Sequence, residues 1–330
     1  MTHTAGARFA ARVALLLVSL GLAVLLCELA LRVSSPGGGF GAAEELPWLR
    51  GADRTQLFVL DPDFGFRPAL GNELFDAYGT HRNEYEVGER AGRERVLFLG
   101  DSVTARGHIV EALRERYGEA GFEYWNAGVD SFNTVQEVAF YRQFNAAIRP
   151  DHVVLTFHLN DLETTPVAFR DERGDLMVYA LNQPARQVNR WWFEHSHLYR
   201  LWLGSVQDTA GRFDTLAREA EGALSSLQAQ LTEDEIRLTV IVLPLFEQPA
   251  RWSAGHKRAR RRILAFLKRQ GIAHVDLLPA LQRALGDGVG VQEVPGDTFH
   301  PSRGVARVFA EVLQEAGLLG ASSDARGVAP

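Results

Sequence analysis

Short apolar runs alternate with longer amphipathic stretches over most of the chain. The apolar runs are rich in β-branched residues and lie at Val96–Leu99, Phe122–Trp125, Val153–Phe157, Leu238–Leu245 and, more weakly, Ala273–Leu277. Stretches with helical spacing of apolar residues lie at Ile109–Tyr117, Thr134–Ile148, Phe213–Leu231, Lys257–Gln270 and Arg303–Glu315. The first kind predicts buried strands and the second predicts helices. This alternation predicts an α/β fold, with a mostly parallel sheet, right-handed crossovers and helices on both faces.

The N-terminal region has a different pattern. From Val13 to Leu31 the chain is apolar except at Ser19 and Glu28. As a helix, this run covers roughly 28 Å, about the thickness of the hydrocarbon core of a bilayer. Glu28 lies four residues before Arg32, so we expect the two side chains to pair where the run ends.

Charges before this run suggest an orientation. Arg8 and Arg12 precede it, and the positive-inside rule then places the N-terminus in the cytoplasm and the rest of the chain outside, periplasmic or on the outer face. A cleaved signal peptide has a similar pattern. No small-x-small cleavage site follows the run cleanly, which favours an uncleaved single-pass anchor.

Composition changes along the chain suggest its organisation. We predict a membrane anchor at 1–33 with its helix at about 13–31, a flexible Gly/Ser-rich linker at 34–47, an irregular lead-in with short strands at 48–94, the main domain at 95–320 and a disordered tail at 321–330. An insertion at about 162–207 interrupts the strand–helix alternation. It carries Trp191, Trp192, Phe193, Tyr199 and Trp202. It forms either a lid or sugar-stacking wall, or a cover for the sheet edge.

Charge and cysteine content narrow the chemistry. The net charge of −6 over 330 residues gives no general affinity for nucleic acid. Cys27 is the single cysteine and lies in the apolar run. The rest of the chain therefore has no internal disulfide, no cysteine zinc site and no thiol nucleophile. We therefore expect a covalent catalyst in this part of the chain to be a hydroxyl group.

Polar residues follow the apolar runs at the points where strands are expected to end. Gly100, Asp101 and Ser102 follow the first run. The other groups are Asn126, Gly128, Ser131 and Asn133 after the second run, His158, Asn160 and Asp161 after the third, and Asp297 with His300 before the last helix. Ligands bind beyond the carboxyl ends of parallel strands, so these residues are expected at one edge. Together they can activate a hydroxyl and hold an oxyanion.

In this arrangement the chain resembles the SGNH/GDSL-type hydrolases, with four sequence blocks in order across roughly residues 95 to 318. Gly100–Val103 (GDSV) resembles the nucleophile block, His158–Asp161 (HLND) the third block and Asp297–His300 (DTFH) the last. GDSV alone would be a weak match, and the four blocks together are specific. The resemblance implies a three-layer α/β/α sandwich of flavodoxin-like type. It also implies Ser102 as nucleophile, His300 as base and Asp297 as its partner.

The second and third blocks depart from the family pattern. In the family, a glycine of the second block gives a backbone N–H to the oxyanion, and counting from Asn126 puts Ser131 in its place, with Gly128 as the alternative register. The resemblance thus implies an oxyanion hole of the N–H groups of Ser102 and Ser131 and the side-chain amide of Asn160. His158 occupies the usual glycine position of the third block, where it narrows the pocket or touches substrate.

These observations predict a membrane-anchored serine esterase that cleaves O-acyl or O-acetyl esters of envelope glycans, or small acyl esters, without metal or cofactor. Its base must be neutral to accept a proton, so activity should fall as the pH drops through about 6–7. Two alternatives stay open: an O-acyltransferase using the same acyl-enzyme, and a non-catalytic glycan-binding or assembly protein with the same fold. Asp101 and Asp161 are expected to brace turns rather than react.

Overall fold

The computed structural model describes residues 3–34, 44–45, 57–90, 92–159, 161–162, 164–170, 176–180, 188–205 and 212–320. The helices are α1 His3–Ser34, α2 Ser102–Ala105, α3 His108–Tyr117, α4 Thr134–Gln143, α5 Arg190–His195, α6 His197–Ser205, α7 Arg212–Glu233, α8 Ala254–Gln270, α9 Leu278–Gly286 and α10 Arg303–Glu315, with 3₁₀ turns at Asn145–Ile148 and Pro249–Arg251. The strands are β1 Glu44–Glu45, β2 Phe58–Asp61, β3 Gly65–Pro68, β4 Glu94–Gly100, β5 Phe122–Gly128, β6 His152–Phe157, β7 Val167–Arg170, β8 Leu176–Ala180, β9 Arg237–Val242 and β10 Ala273–Asp276.

A five-stranded parallel sheet forms the centre of the larger of two compact units. This unit takes its described residues from 56–59, 67–165 and 210–330. The strand order is β10-β9-β6-β4-β5, and every neighbouring pair is parallel. Counted along the chain, this is the 2-1-3-4-5 order of flavodoxin-like sheets, in which ligands bind where the order reverses. That point lies between β4 and β6.

Helices cover both faces of this sheet, as the sequence pattern predicts. Successive residues of β4 point to opposite faces, so Val96 and Phe98 join one buried cluster while Leu97 and Leu99 join the other. The first cluster includes residues of α3, α9 and α10, and the second includes residues of α4, α7 and α8. Because both faces are buried, the strands are continuously apolar rather than alternating. The fold is therefore a three-layer α/β/α sandwich, as expected.

The smaller unit takes its described residues from 1–55, 60–66 and 166–209. In it, β1 pairs antiparallel with β8, and β8 pairs antiparallel with β7. The insertion therefore has strands and helices of its own. The predicted tail at 321–330 lies outside the described residues, as does most of the predicted linker at 34–47.

The apolar N-terminal run is helical. Ala11–Ser34 is long and apolar enough to cross a membrane, and by length and composition it is a candidate membrane anchor or signal sequence. The Glu28–Arg32 pair expected from the sequence is present, with 3.0 Å between Arg32 Nε and Glu28 Oε1.

Candidate active site

The turn after β4 holds Ser102 at the first position of α2. The carboxylate of Asp101 caps this short helix by accepting the N–H of Val103 at 2.9 Å, and Asp101 is fully buried. A Cβ at Gly100 would lie 2.1 Å from Thr104 Oγ1 and 2.2 Å from Thr156 Oγ1. Gly100 is thus required because the turn packs tightly against its neighbours, and Asp101 braces the turn as predicted.

The Asp297–His300 segment folds into a turn that fixes the imidazole. Asp297 Oδ1 accepts the N–H groups of Phe299 at 2.9 Å and of His300 at 3.2 Å. Its other oxygen lies 2.7 Å from His300 Nδ1. The segment is also tied to the loop after β9, because Phe246 N–H donates to the carbonyl of Thr298 at 2.8 Å. The spacing of three residues therefore lets one carboxylate hold both the backbone and the ring of its partner.

The structure brings this turn against the nucleophile turn. His300 Nε2 lies 2.9 Å from Ser102 Oγ, although the two residues are 198 positions apart. Burial raises the pKa of Asp297, but hydrogen bonds from Phe299 N–H and the His300 ring outweigh it, so the pKa lies below its ordinary value. A carboxylate at Nδ1 favours the tautomer with its proton there, which leaves Nε2 to accept the proton of the serine hydroxyl.

Two backbone N–H groups at this edge of the sheet are available as donors. The N–H groups of Ser102 and Ser131 have no hydrogen-bond acceptor among the described residues. Ser131 has φ of 61°, in the left-handed region where glycine is normally favoured. Asn160, the third expected donor, lies outside the described residues.

Gly128, the alternative to Ser131, is engaged elsewhere. Its N–H donates to Asn126 Oδ1 at 2.9 Å. A Cβ on Gly128 would lie 2.2 Å from the backbone nitrogen of Ala105. The alternative register is therefore wrong for this structure: Gly128 is needed for close packing of β5 against α2, and its N–H is already used.

His158 does not reach the surface. Its side chain has no exposed area, stacks on Phe246 with ring centroids 6.3 Å apart and meets the edge of Phe299 at 5.7 Å. The prediction that His158 touches substrate is therefore contradicted by its burial. Its N–H donates to Asp161 Oδ2 at 2.9 Å, so Asp161 braces this turn as predicted.

Glu293 is a further residue at this site that the sequence patterns did not indicate. Its carboxylate lies 3.3 Å from His108 Nε2 and 3.4 Å from Arg106 Nη1, and so links the histidine turn to the segment after α2. Ligand atoms of Glu293, Asp297 and His300 lie within 4.8 Å of one another. Both ring nitrogens of His300 are hydrogen-bonded in this structure, Nδ1 to Asp297 and Nε2 to Ser102.

A buried acid lies on α4, the helix that follows the expected oxyanion segment. Glu137 is 2% exposed, and neither carboxylate oxygen has a hydrogen-bond partner in the described structure. Burial raises its pKa well above the ordinary value, and the nearby carboxylates of Asp161 and Asp101 raise it further. Glu137 therefore keeps its proton at pH values where a surface glutamate is ionised.

Comparisons with known proteins gave distant likenesses. No protein-family model and no curated protein matches the chain. Among solved structures, it is similar to a variant of Axe2, an acetylxylan esterase from Geobacillus stearothermophilus, at 17% identity and a TM-score of 0.46. It is also similar to LAE5, an alpha/beta hydrolase enzyme from the metagenome of Lake Arreo, Spain, at 18% identity and a TM-score of 0.46. Each match covers 69% of this chain and 97% of the other. Values this low do not assign an activity.

Proposed function

We propose that this protein is a serine esterase that cleaves carboxylic esters through an acyl-enzyme on Ser102. The observation that carries the proposal is the unbroken hydrogen-bonded series from Asp297 through His300 to Ser102 Oγ, with distances of 2.7 and 2.9 Å. It lies at the carboxyl edge of a parallel sheet, where substrates of this fold class bind. The geometry matches the contacts by which a histidine activates a serine hydroxyl.

The reaction uses each of these groups in turn. Ser102 Oγ attacks the ester carbonyl carbon while its proton passes to His300 Nε2. The carbonyl oxygen becomes an oxyanion, and we assign the N–H groups of Ser102 and Ser131, with the amide of Asn160, as its donors. When the C–O bond breaks, His300 returns the proton to the leaving alcohol. Water then attacks the acyl-Ser102 ester with the same assistance and releases the carboxylic acid.

The carboxylate of Asp297 positions and stabilises rather than reacts. Its lowered pKa keeps it charged near neutral pH, so that it favours the imidazolium formed during attack. We place this chemistry in an extracytoplasmic domain held by α1, since Arg8 and Arg12 precede the apolar run of this helix. The substrates proposed for this location are acylated envelope glycans or small acyl esters.

The test uses the full-length protein in detergent, with a fluorophosphonate probe and p-nitrophenyl acetate. We expect covalent labelling and turnover in the wild type and neither in Ser102→Ala. Ser226→Ala is the matched control, since this serine lies on α7 and bonds only to the backbone of its own helix. A wild-type protein that neither labels nor turns over would refute the esterase and favour a binding protein. Turnover is also compared with and without an added acceptor sugar, which separates acyl transfer to a sugar hydroxyl from hydrolysis by water.

A further inference from the structure

A carboxylate at the end of the apolar helix caps a helix of the insertion. Glu28 of α1 accepts the N–H groups of His197 at 2.8 Å and Leu198 at 2.9 Å, and the hydroxyl of Ser196 at 2.9 Å. Arg32, one turn later, donates to the carbonyl of His195 at 2.6 Å. The first N–H groups of any helix need acceptors, and those of α6 find one about 170 positions away in sequence. The end of α1 and the start of α6 are therefore joined by hydrogen bonds, a contact called the joint below.

The inner face of α5 and α6 is held firmly within the same unit. Phe193 and Leu203 are buried against β7 and β8 residues. Arg200 is 4% exposed, donates to the carbonyls of Phe193 at 2.6 Å and Glu194 at 2.8 Å, and lies 4.8 Å above the ring of Phe169. A buried guanidinium with these partners fixes the two helices relative to each other. Their outer face therefore has a defined direction.

The exposed surface of α5 and α6 carries several large apolar side chains. Trp191, Trp192 and Trp202 are 58%, 52% and 54% exposed, and Leu201 is also exposed. Three indoles in water are unusual for a soluble surface, and such patches mark contacts with other molecules. Tryptophan combines a large apolar ring with one N–H donor, which suits the boundary between lipid chains and water.

We propose that α5 and α6 form a membrane-interface element, with Trp191, Trp192 and Trp202 in the headgroup layer of the bilayer that α1 crosses. The apolar run of α1 ends at Leu31, and Glu28 and Arg32 bond to residues 195–198 at that level. The exposed indoles thus continue the apolar surface of α1 where it leaves the hydrocarbon. A second consequence is that α1 stays attached, because its removal would take away the acceptor for the first N–H groups of α6.

Lipid fits this face better than carbohydrate. Sugar-stacking walls need open ring faces, but His195 stacks on Trp191 with centroids 4.8 Å apart, and the ring of Tyr199 lies 5.6 Å from that of Trp202 at 30°. One face of Trp191 and one face of Trp202 are thus already covered. The nearby acid, Glu194, is paired with Arg190 at 2.7 Å rather than turned towards a ligand. A lipid layer needs neither a free ring face nor a polar partner.

The proposal rests on the membrane position assigned to α1 and is independent of the esterase activity. Full-length protein is reconstituted into phosphatidylcholine–phosphatidylglycerol vesicles whose acyl chains carry bromine either near the headgroup or near the bilayer centre. Tryptophan emission is compared between the wild type and the Trp191→Phe/Trp192→Phe/Trp202→Phe variant. The difference in emission between the wild type and the triple variant is the emission of these three indoles. We expect bromine near the headgroup to quench it more than bromine near the bilayer centre. Trp252→Phe, which removes a buried indole of the other unit, should leave the quenched component unchanged.

Three results would overturn the proposal. One is that sodium carbonate extracts the wild-type protein from the vesicles. Another is that the protein stays inserted while neither brominated lipid quenches the component that the triple variant lacks. The third is that soluble N-acetylglucosamine oligomers change this component and lipid does not. If the triple variant fails to unfold cooperatively, Trp202→Phe alone supplies the difference spectrum of one of the three indoles, with the same quenching expected. The joint itself is tested by Glu28→Ala, which should weaken shallow quenching, and by Glu28→Gln, which keeps an acceptor oxygen and should restore it in part.

Discussion

Replacing Gly128 with alanine tests how β5 holds the nucleophile turn. A Cβ at this position would lie 2.2 Å from the backbone nitrogen of Ala105 and 2.6 Å from the carbonyl carbon of Thr104. Both are backbone atoms of α2, so no side-chain rotation relieves the overlap. Ordinary van der Waals contact begins at 3.4 Å, so the strand and the helix must separate by about 1.2 Å.

This displacement acts directly on the proposed nucleophile. Ser102 begins the same four-residue helix, and its hydroxyl lies 2.9 Å from His300 Nε2. A misplacement of about 1 Å typically lowers a rate about 10²-fold, whereas overpacking costs about 1–3 kcal/mol of unfolding free energy. We therefore expect Gly128→Ala to unfold cooperatively at a somewhat lower temperature and to react with a fluorophosphonate probe about 10²-fold more slowly.

The matched control is Gly121→Ala, immediately before β5. A Cβ there meets no heavy atom within 4 Å, and the backbone of Gly121 does not have positive φ. The labelling rate constant and the thermal unfolding curve are measured for both variants beside the wild type. If Gly128→Ala labels as fast as Gly121→Ala while remaining folded, close packing of β5 against α2 does not position Ser102, and our account of Gly128 fails.

Three further predictions concern other parts of the larger unit. Ser131→Gly should react with the fluorophosphonate probe at least as fast as the wild type, because glycine adopts the left-handed backbone freely. Ser131→Val should react about 10²–10³-fold more slowly, because its backbone N–H shifts. Equal labelling rates for the two variants would remove this residue from the oxyanion hole. Arg95→Met should lower the unfolding free energy in urea by about 3–5 kcal/mol, because the carboxylate of Glu123 stays buried and loses its partner at 2.8 Å. Arg90→Ala, which breaks an exposed ion pair, should lower it by less than about 1 kcal/mol. Similar losses for the two variants would contradict this reasoning. Burial raises the pKa of Glu137, so the folded state holds a proton that the unfolded state releases, and wild-type stability falls as pH rises from the unfolded towards the folded pKa. Glu137→Gln removes this dependence, so its melting temperature should rise relative to that of the wild type as the pH increases above the ordinary pKa of glutamate. A difference that stays constant with pH would mean that Glu137 is not the group responsible.

The strands and main helices could be predicted because burial on both faces leaves a strong pattern. The run at Val96–Leu99 lies inside β4, and the stretch at Arg303–Glu315 coincides with α10. Where the expectation differs, the reason is local. The predicted helix at Thr134–Ile148 ends at Gln143 and continues as a 3₁₀ turn, and the predicted strand at Leu238–Leu245 ends at Val242 although the apolar residues continue.

Other elements had no pattern long enough to read. Helix α9 covers only nine residues at Leu278–Gly286, and the weak strand predicted at Ala273–Leu277 ends at Leu277, the residue that caps this helix. In the insertion, β7 and β8 are short, and α5 and α6 are separated by the single residue Ser196. The acceptor for the start of α6 is Glu28, which belongs to the apolar N-terminal run. A contact across such a distance in sequence leaves no periodic signal.

The sequence predicted that the side chains around Ser102 lie at one edge of the sheet. It did not predict which residue, Gly128 or Ser131, takes the part of the glycine in the second sequence block. A glycine is required in a motif either because a Cβ would collide or because the backbone needs positive φ, and the residue type alone does not separate these causes. In this chain the two causes fall on different residues. Gly128 lacks space for a Cβ and its N–H is already bonded, whereas Ser131 has positive φ and an N–H without an acceptor among the described residues. A backbone donor depends on conformation rather than on the side chain, so serine can serve at a position where the SGNH/GDSL-type hydrolases have glycine. It is therefore the φ angle of residue 131, and not the position of the nearest glycine, that supports its assignment to the oxyanion hole.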